Sequence, residues 1–238
     1  MAKKPRSRKR HVQLPLARAI KYTGQGGPRP GSGRPRGRNT VPHDQRPTFA
    51  ARYPLHVTLR IEDGVPSLAR EFLMKVTRGA IRDSHKPDFR IVEFNMLTNH
   101  VHLIVEAHGA AALSRGMNGF GVRAAKRLNR ALGRTGKLFA TRYHGRALRT
   151  PREVRHALRY VLLNRKHHAA EQRFARYWID PCSSAPWFGG WAEPIRAEMH
   201  WKQVLVAQPP PTAKATTWLL STGWHEKHGR LRFDEAPA

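Results

Sequence analysis

Two histidines one residue apart, His100 and His102, open the apolar run Asn99-His100-Val101-His102-Leu103-Ile104-Val105. On a β-strand alternate side chains share a face, so both imidazoles point one way while Val101, Leu103 and Val105 point the other. Two imidazoles held side by side are half of a metal site. Further along, Tyr160 and Asn164 are four residues apart in Arg-Tyr-Val-Leu-Leu-Asn, with His156 four residues before the tyrosine. On a helix these three share a face. A phenol is a nucleophile once ionised, and a carboxamide oxygen is a neutral ligand. Plainer readings stand beside these: two ordinary strand histidines, a half-buried core tyrosine and a helix-end amide.

The elements that carry these residues follow from periodicity. Residues 55–61 alternate, with Leu55, Val57, Leu59 and Ile61 on one face and His56, Thr58 and Arg60 on the other, which predicts a strand with one buried side. Pro66-Ser67 opens a helix running to about Ser84, and Lys86-Pro87-Asp88 breaks it. Residues 89–97 predict a second strand containing one irregularity, paired in a hairpin with the histidine strand, which Gly109 ends. A long helix follows from about Ala110 to Leu132, although Gly116, Gly119 and Gly121 oppose it. Its polar side carries Arg115, Arg123, Lys126, Arg127 and Arg130, either a solvated face or a phosphate-binding one. Residues 137–149 predict an extended segment or a short fourth strand. Thr150-Pro151-Arg152-Glu153 then has the residues of a capping box, with Thr at N-cap, Pro at N1 and Glu at N3. The expected fold is α+β: a ferredoxin-like split β-α-β antiparallel sheet with helices on one face, and a further helix able to cover the other.

The charge balance narrows the partner. The 238 residues hold 44 Lys and Arg against 16 Asp and Glu, a formal net charge of +28. Such an excess opposes compaction unless a polyanion neutralises it, which points to nucleic acid. Residues 1–48, rich in Arg, Lys, Gly and Pro, are expected to form a disordered basic arm. Residues 49–170 are expected to form the folded domain, and 171–238 an irregular extension rich in Trp. Cys182 is the only cysteine, which excludes an intramolecular disulfide and a cysteine-based zinc site. No apolar run is long enough to span a bilayer, and the first residues have no apolar core of a secretory signal. A cytoplasmic, nucleoid-associated protein is expected, with no small-molecule substrate.

Asn-His-Val-His-Leu-Ile-Val resembles the His-hydrophobic-His (HUH) motif of single-tyrosine transposases. Together with RYHGRALRT and YVLLN it is similar to the REP-associated tyrosine transposases over roughly residues 50–168. The resemblance implies that His100, His102 and Asn164 hold a divalent metal, Mg²⁺ or Mn²⁺. It implies that Tyr160 is the nucleophile, leaving a 5′-phosphotyrosine and a free 3′-hydroxyl. It also implies single-stranded DNA, with a short palindromic hairpin as the recognised element. Arg142, Arg146, Arg149, Arg152, Arg155 and Arg159 are the candidates for DNA contact, the last also for favouring the phenolate. Relatives often have Pro after this Asn, where the present chain has Arg165. Tyr143 is the rival nucleophile, with Tyr177 and Tyr53 behind it. The His167-His168 pair and the His225 to His228 stretch read as solvated. Whether the tyrosine helix comes from the same chain, in a monomer, or from a partner in a homodimer stays open. Two other functions stay open as well: a binder of this fold without cleavage, and a basic RNA-binding factor.

Overall fold

The computed structural model describes residues 48–168, 178–194 and 208–235. The expected basic arm, save Thr48, therefore lies outside the described residues, as do Tyr177 and Trp201. The elements run β1 (Leu55–Arg60), α1 (Glu71–Arg82), β2 (Phe89–Met96), β3 (His100–Ala107), α2 (Ala110–Ala131), β4 (His144–Ala147) and α3 (Pro151–His168). A short 3₁₀ turn at Ala185–Trp187 follows, then a π turn at Leu219–Gly223 that runs into α4 (Trp224–His228). The sheet order is β2-β3-β1-β4, with every pairing antiparallel. This is the split β-α-β topology expected, with β3 and β1 central. No helix among the described residues is long and apolar enough to cross a membrane.

Alternation sorts the sheet into two faces. Leu55, Val57, Leu59, Val101, Leu103 and Val105 join α1 and α2 in one core cluster. Ile104 and Val92 belong to a second cluster on the opposite face, with Val154, Leu158, Val161 and Leu162 of α3. The two helices of the split β-α-β unit thus share a face, and α3 covers the other. The expected irregularity in β2 is a register shift between Ile91 and Glu93. It turns both Val92 and Glu93 toward α3, since the extra residue of a bulge breaks strict alternation. The glycines of α2 have a packing reason at Gly116: a Cβ there would lie 2.1 Å from the Phe89 ring, so only a glycine lets the helix approach β2. Helix α1 starts later than Pro66-Ser67 suggests, at Glu71, and no side chain caps it.

The capping box on α3 forms as read. Thr150 Oγ1 accepts from the Glu153 backbone N–H at 3.2 Å, and the Glu153 carboxylate accepts from the Thr150 N–H at 3.2 Å. These bonds fix where α3 begins, and so which residues face the sheet. Residues beyond α3 complete its packing: Ile179, Trp191, Leu219, Leu220, Trp224, Leu231 and Phe233 all join the second cluster. Their anchor is Glu106 of β3, which is buried. Its carboxylate accepts from the backbone N–H groups of Thr216 and Thr217 and from both hydroxyls, at 2.8–3.1 Å.

Candidate active site

The α3-facing side of the sheet is where the polar residues of the central strands collect. Thr58 of β1 sits opposite His102 of β3, and Asn95 of β2 sits opposite His102 on its other side. His144 and Arg146 of β4 continue the rows beyond Thr58 and His56. His100 and His102 share this face as their spacing requires, with ring centroids 6.3 Å apart and planes only 15° apart. His102 is buried and His100 partly so.

Tyr160 meets the histidines within one chain. Its ring stands edge-on to His102, with centroids 5.2 Å apart and planes at 88°. The same ring lies 5.6 Å from His56. Helix α3 is held at this height over the sheet by Asn95, whose Nδ2 donates to the Val161 carbonyl at 2.7 Å and to Asp180 Oδ2 at 3.2 Å. One turn beyond Tyr160, Asn164 is fully buried. Neither its Oδ1 nor its Nδ2 has a hydrogen-bond partner among the described residues. A buried amide left unsatisfied costs about 1–3 kcal/mol per group, a cost that a bound ligand would relieve.

His56 is the residue that sequence reasoning passed over. Its Nε2 lies 3.3 Å from His102 Nδ1, and Thr58 Oγ1 lies 3.2 Å from the same nitrogen. Burial, then the cations of Arg146 and His144, lower the pKa of His56 from 6.5 to about 4. It is therefore neutral at pH 7 and able to accept a hydrogen bond at Nε2. His100 Nδ1 is likewise within 2.8 Å of Asn99 Oδ1. Each Nδ1 thus has an acceptor beside it, the arrangement that directs Nε2 toward a ligand. The available signal was the placement of His56 on the polar face of a strand that the fold puts beside β3.

The remaining candidates separate. Tyr143 packs with the α1 and α2 cluster, on the opposite side of the sheet from the histidines. Tyr53 packs with the α3 cluster, and Arg52 donates to its hydroxyl. His225 lies on α4 against the Ser221 carbonyl. Arg142, Arg146, Arg149 and Arg152 are exposed. Arg155 is instead gripped by Glu235 through two bonds of 3.0 and 2.8 Å, and Arg159 lies 3.9 Å from the same carboxylate. The side chain of Arg165 lies outside the described residues.

The donor set fits a divalent ion. Among the described residues no group of three or more His, Cys, Asp or Glu could hold a metal. The candidate donors here are two imidazoles and the unsatisfied Asn164 oxygen, a mixed nitrogen–oxygen set suited to Mn²⁺ and acceptable to Mg²⁺.

Comparison with known proteins finds the following likenesses. Residues 53–161 match the family model described as "Transposase IS200 like", a segment that contains both histidines and Tyr160 and ends just before Asn164. The chain is also similar to a solved structure, "Structure of the REP associates tyrosine transposase bound to a REP hairpin". The identity is 17%, the TM-score 0.48, and the match covers 74% of this chain and 93% of that one. No curated protein matches the chain.

Proposed function

We propose that the chain is a metal-dependent single-strand DNA transposase that nicks and rejoins DNA through Tyr160. The observation that carries this reading is the Tyr160 ring standing on His102 at 5.2 Å, with the orphaned Asn164 amide one turn further along the same helix. His100, His102 and Asn164 Oδ1 would hold Mg²⁺ or Mn²⁺, which supplies charge neutralisation at the scissile phosphate. Tyr160 gives up its proton and its oxygen attacks phosphorus, forming the phosphotyrosine bond. The bond from phosphorus to the 3′ oxygen breaks, and that oxygen takes a proton to become the free 3′-hydroxyl. Attack by a 3′-hydroxyl on the phosphotyrosine reverses the step and joins strands without ATP, because the phosphodiester is exchanged rather than hydrolysed.

The other residues bind and orient. Asn99 and the pair His56 and Thr58 hold the two imidazoles at Nδ1. Arg142, Arg146, Arg149 and Arg152 bind backbone phosphates along the β4 edge and the start of α3. Arg155 and Arg159 reach DNA in competition with Glu235. Single strands are favoured because the phosphate must enter between α3 and the sheet, and hairpin-forming sequences are the expected recognition element. Residues 1–48 serve as a phosphate-binding arm, 49–170 as the catalytic unit, and 171–238 as its cover. The protein acts on DNA in the cytoplasm.

The test is incubation with labelled, hairpin-tailed single-stranded DNA and Mn²⁺ or Mg²⁺, followed by denaturing electrophoresis. A covalent adduct is expected that Tyr160→Phe abolishes. An adduct that survives Tyr160→Phe overturns the nucleophile assignment. Tight binding with no adduct on any substrate overturns the enzymatic reading, and a preference for duplex RNA overturns the DNA reading.

A further inference from the structure

Three buried amide atoms lack a hydrogen-bond partner among the described residues: Oδ1 of Asn95 on β2, and both Oδ1 and Nδ2 of Asn164 on α3. Both side chains are fully buried. Buried polar groups are almost always paired, so three orphans on two elements that pack together ask for a reason.

The orientation of Asn95 is fixed by its other end. Its Nδ2 donates to the Val161 carbonyl at 2.7 Å and to Asp180 Oδ2 at 3.2 Å, which uses both N–H groups. A flipped amide would set its oxygen against two acceptors. Oδ1 is therefore an acceptor of fixed aim with no donor on it. Asn164 stands one turn beyond Val161. A helical side chain leans toward the helix N-terminus and covers the turn before its own Cα, here the turn whose carbonyl receives Asn95. The two carboxamides thus share one stretch of the interface between α3 and the sheet, in the row where Asn95 sits opposite His102.

No protein partner claims either end of the Asn164 amide, and its terminal torsion is soft. Its own contacts therefore leave open whether oxygen or nitrogen faces the imidazoles. A metal takes only the oxygen, because the amide nitrogen donates N–H groups and accepts nothing. Counting donors against acceptors resolves the choice. Pairing Asn164 Nδ2 with Asn95 Oδ1 satisfies two of the three orphans and leaves the Asn164 oxygen, the atom a cation would take. The reverse orientation sets two oxygens together and turns N–H groups toward the cation.

We propose that Asn95 is the positioning residue for Asn164: its Oδ1 accepts from Asn164 Nδ2 and so turns Asn164 Oδ1 toward the metal position beside the histidines. The proposal rests on the metal-site reading above but not on cleavage. Asn95 acts through Asn164 and touches neither metal nor DNA.

The test is Mn²⁺ titration calorimetry on the full chain without DNA, across a double-mutant cycle. Asn95→Leu, of similar size, should weaken Mn²⁺ binding by about 10- to 100-fold, as loss of an orienting partner of a metal ligand does. Asn164→Asp presents an oxygen whichever way it turns, so in that background Asn95→Leu should leave Mn²⁺ affinity unchanged. If Asn95 only holds α3 in place through Val161, the loss is equal in both backgrounds, and that result overturns the proposal. No loss with Asn164 intact overturns it too. Should Asn95→Leu not fold, a crystal structure of the wild-type chain with Mn²⁺ decides. Asn164 Nδ2 within about 3.2 Å of Asn95 Oδ1 supports the assignment. Any other donor on Asn95 Oδ1, water included, overturns it. Failure of the metal reading registers separately, as absence of Mn²⁺ binding by the wild type, which would overturn both.

Discussion

Replacing Glu93 by glutamine should make the protein more stable, and by an amount that grows with pH. The unfolded carboxyl ionises near pH 4.5, whereas burial keeps the folded one protonated up to about 8. Between these values the unfolded state gains ionisation free energy that the folded state does not. The contribution of Glu93 to stability is thus fully present below pH 4.5 and is lost as pH rises to about 8. Each pH unit is worth up to about 1.4 kcal/mol, so the window amounts to roughly 3–5 kcal/mol. The glutamine side chain cannot ionise and still accepts from Ser184. Guanidinium unfolding of Glu93→Gln and wild type at pH 4.5, 6, 7 and 8, in EDTA, should give a stability difference that climbs through this range and then levels off. His56 works in the opposite sense. Its folded pKa is depressed to about 4, so its contribution is intact above pH 6.5 and declines as pH falls toward 4. From pH 4.5 to 6.5 the two contributions offset one another in the wild type, and Glu93→Gln should uncover the His56 slope there. A difference that stays constant from pH 4.5 to 8 would refute the argument, because it would mean that Glu93 ionises normally in the folded protein.

Three further perturbations address other parts of the molecule. His56→Phe, similar in bulk but without an acceptor, should weaken Mn²⁺ binding by about 10- to 100-fold, with Thr58→Val adding to the loss. Titration calorimetry measures this, and ¹⁵N spectra of the histidines should find His102 in the Nδ1–H form in the wild type. Glu106→Ala leaves the two backbone N–H groups and two hydroxyls of Thr216 and Thr217 without their acceptor, and should cost about 3 kcal/mol in denaturant unfolding, with residues 208–235 losing hydrogen-exchange protection first. Gly116→Ala drives a methyl into the Phe89 ring and should destabilise by about 2 kcal/mol despite the better helix propensity of alanine, read from the guanidinium midpoint.

Local signals account for most of what the chain disclosed before folding. Period-two alternation in residues 55–61 and 99–105 names both strand faces, because one buried side forces it. The Thr150–Glu153 box fixes the start of α3, and with it the stripe bearing Tyr160 and Asn164. Contacts across long sequence separations were the part left dark. Nothing near His56 says that its ring will meet His102, since that meeting depends on β1 lying beside β3. The bulge at Ile91–Glu93 was foreseen as an irregularity, yet its consequence, a carboxyl buried against Ser184, depends on residues beyond α3. Those residues show no periodicity because Trp191, Trp224, Leu231 and Phe233 are buried from turns and short helices rather than from one regular face. Nothing near Arg155 likewise says that Glu235 will be brought against it.

The Glu106 clasp has a bearing on how the molecule is born. Helix α3 carries Tyr160 on an element whose apolar back is covered by Leu219, Leu220, Trp224 and Phe233, all far downstream in the chain. During synthesis the tyrosine and both histidines emerge from the ribosome well before that cover exists. Contacts of such long sequence separation close late, after the local hairpin and helices. A nascent chain halted before Thr216 therefore has a sheet but no firm seat for Tyr160. The seating of Tyr160 is postponed until the stretch from Thr216 onward has been made and docked.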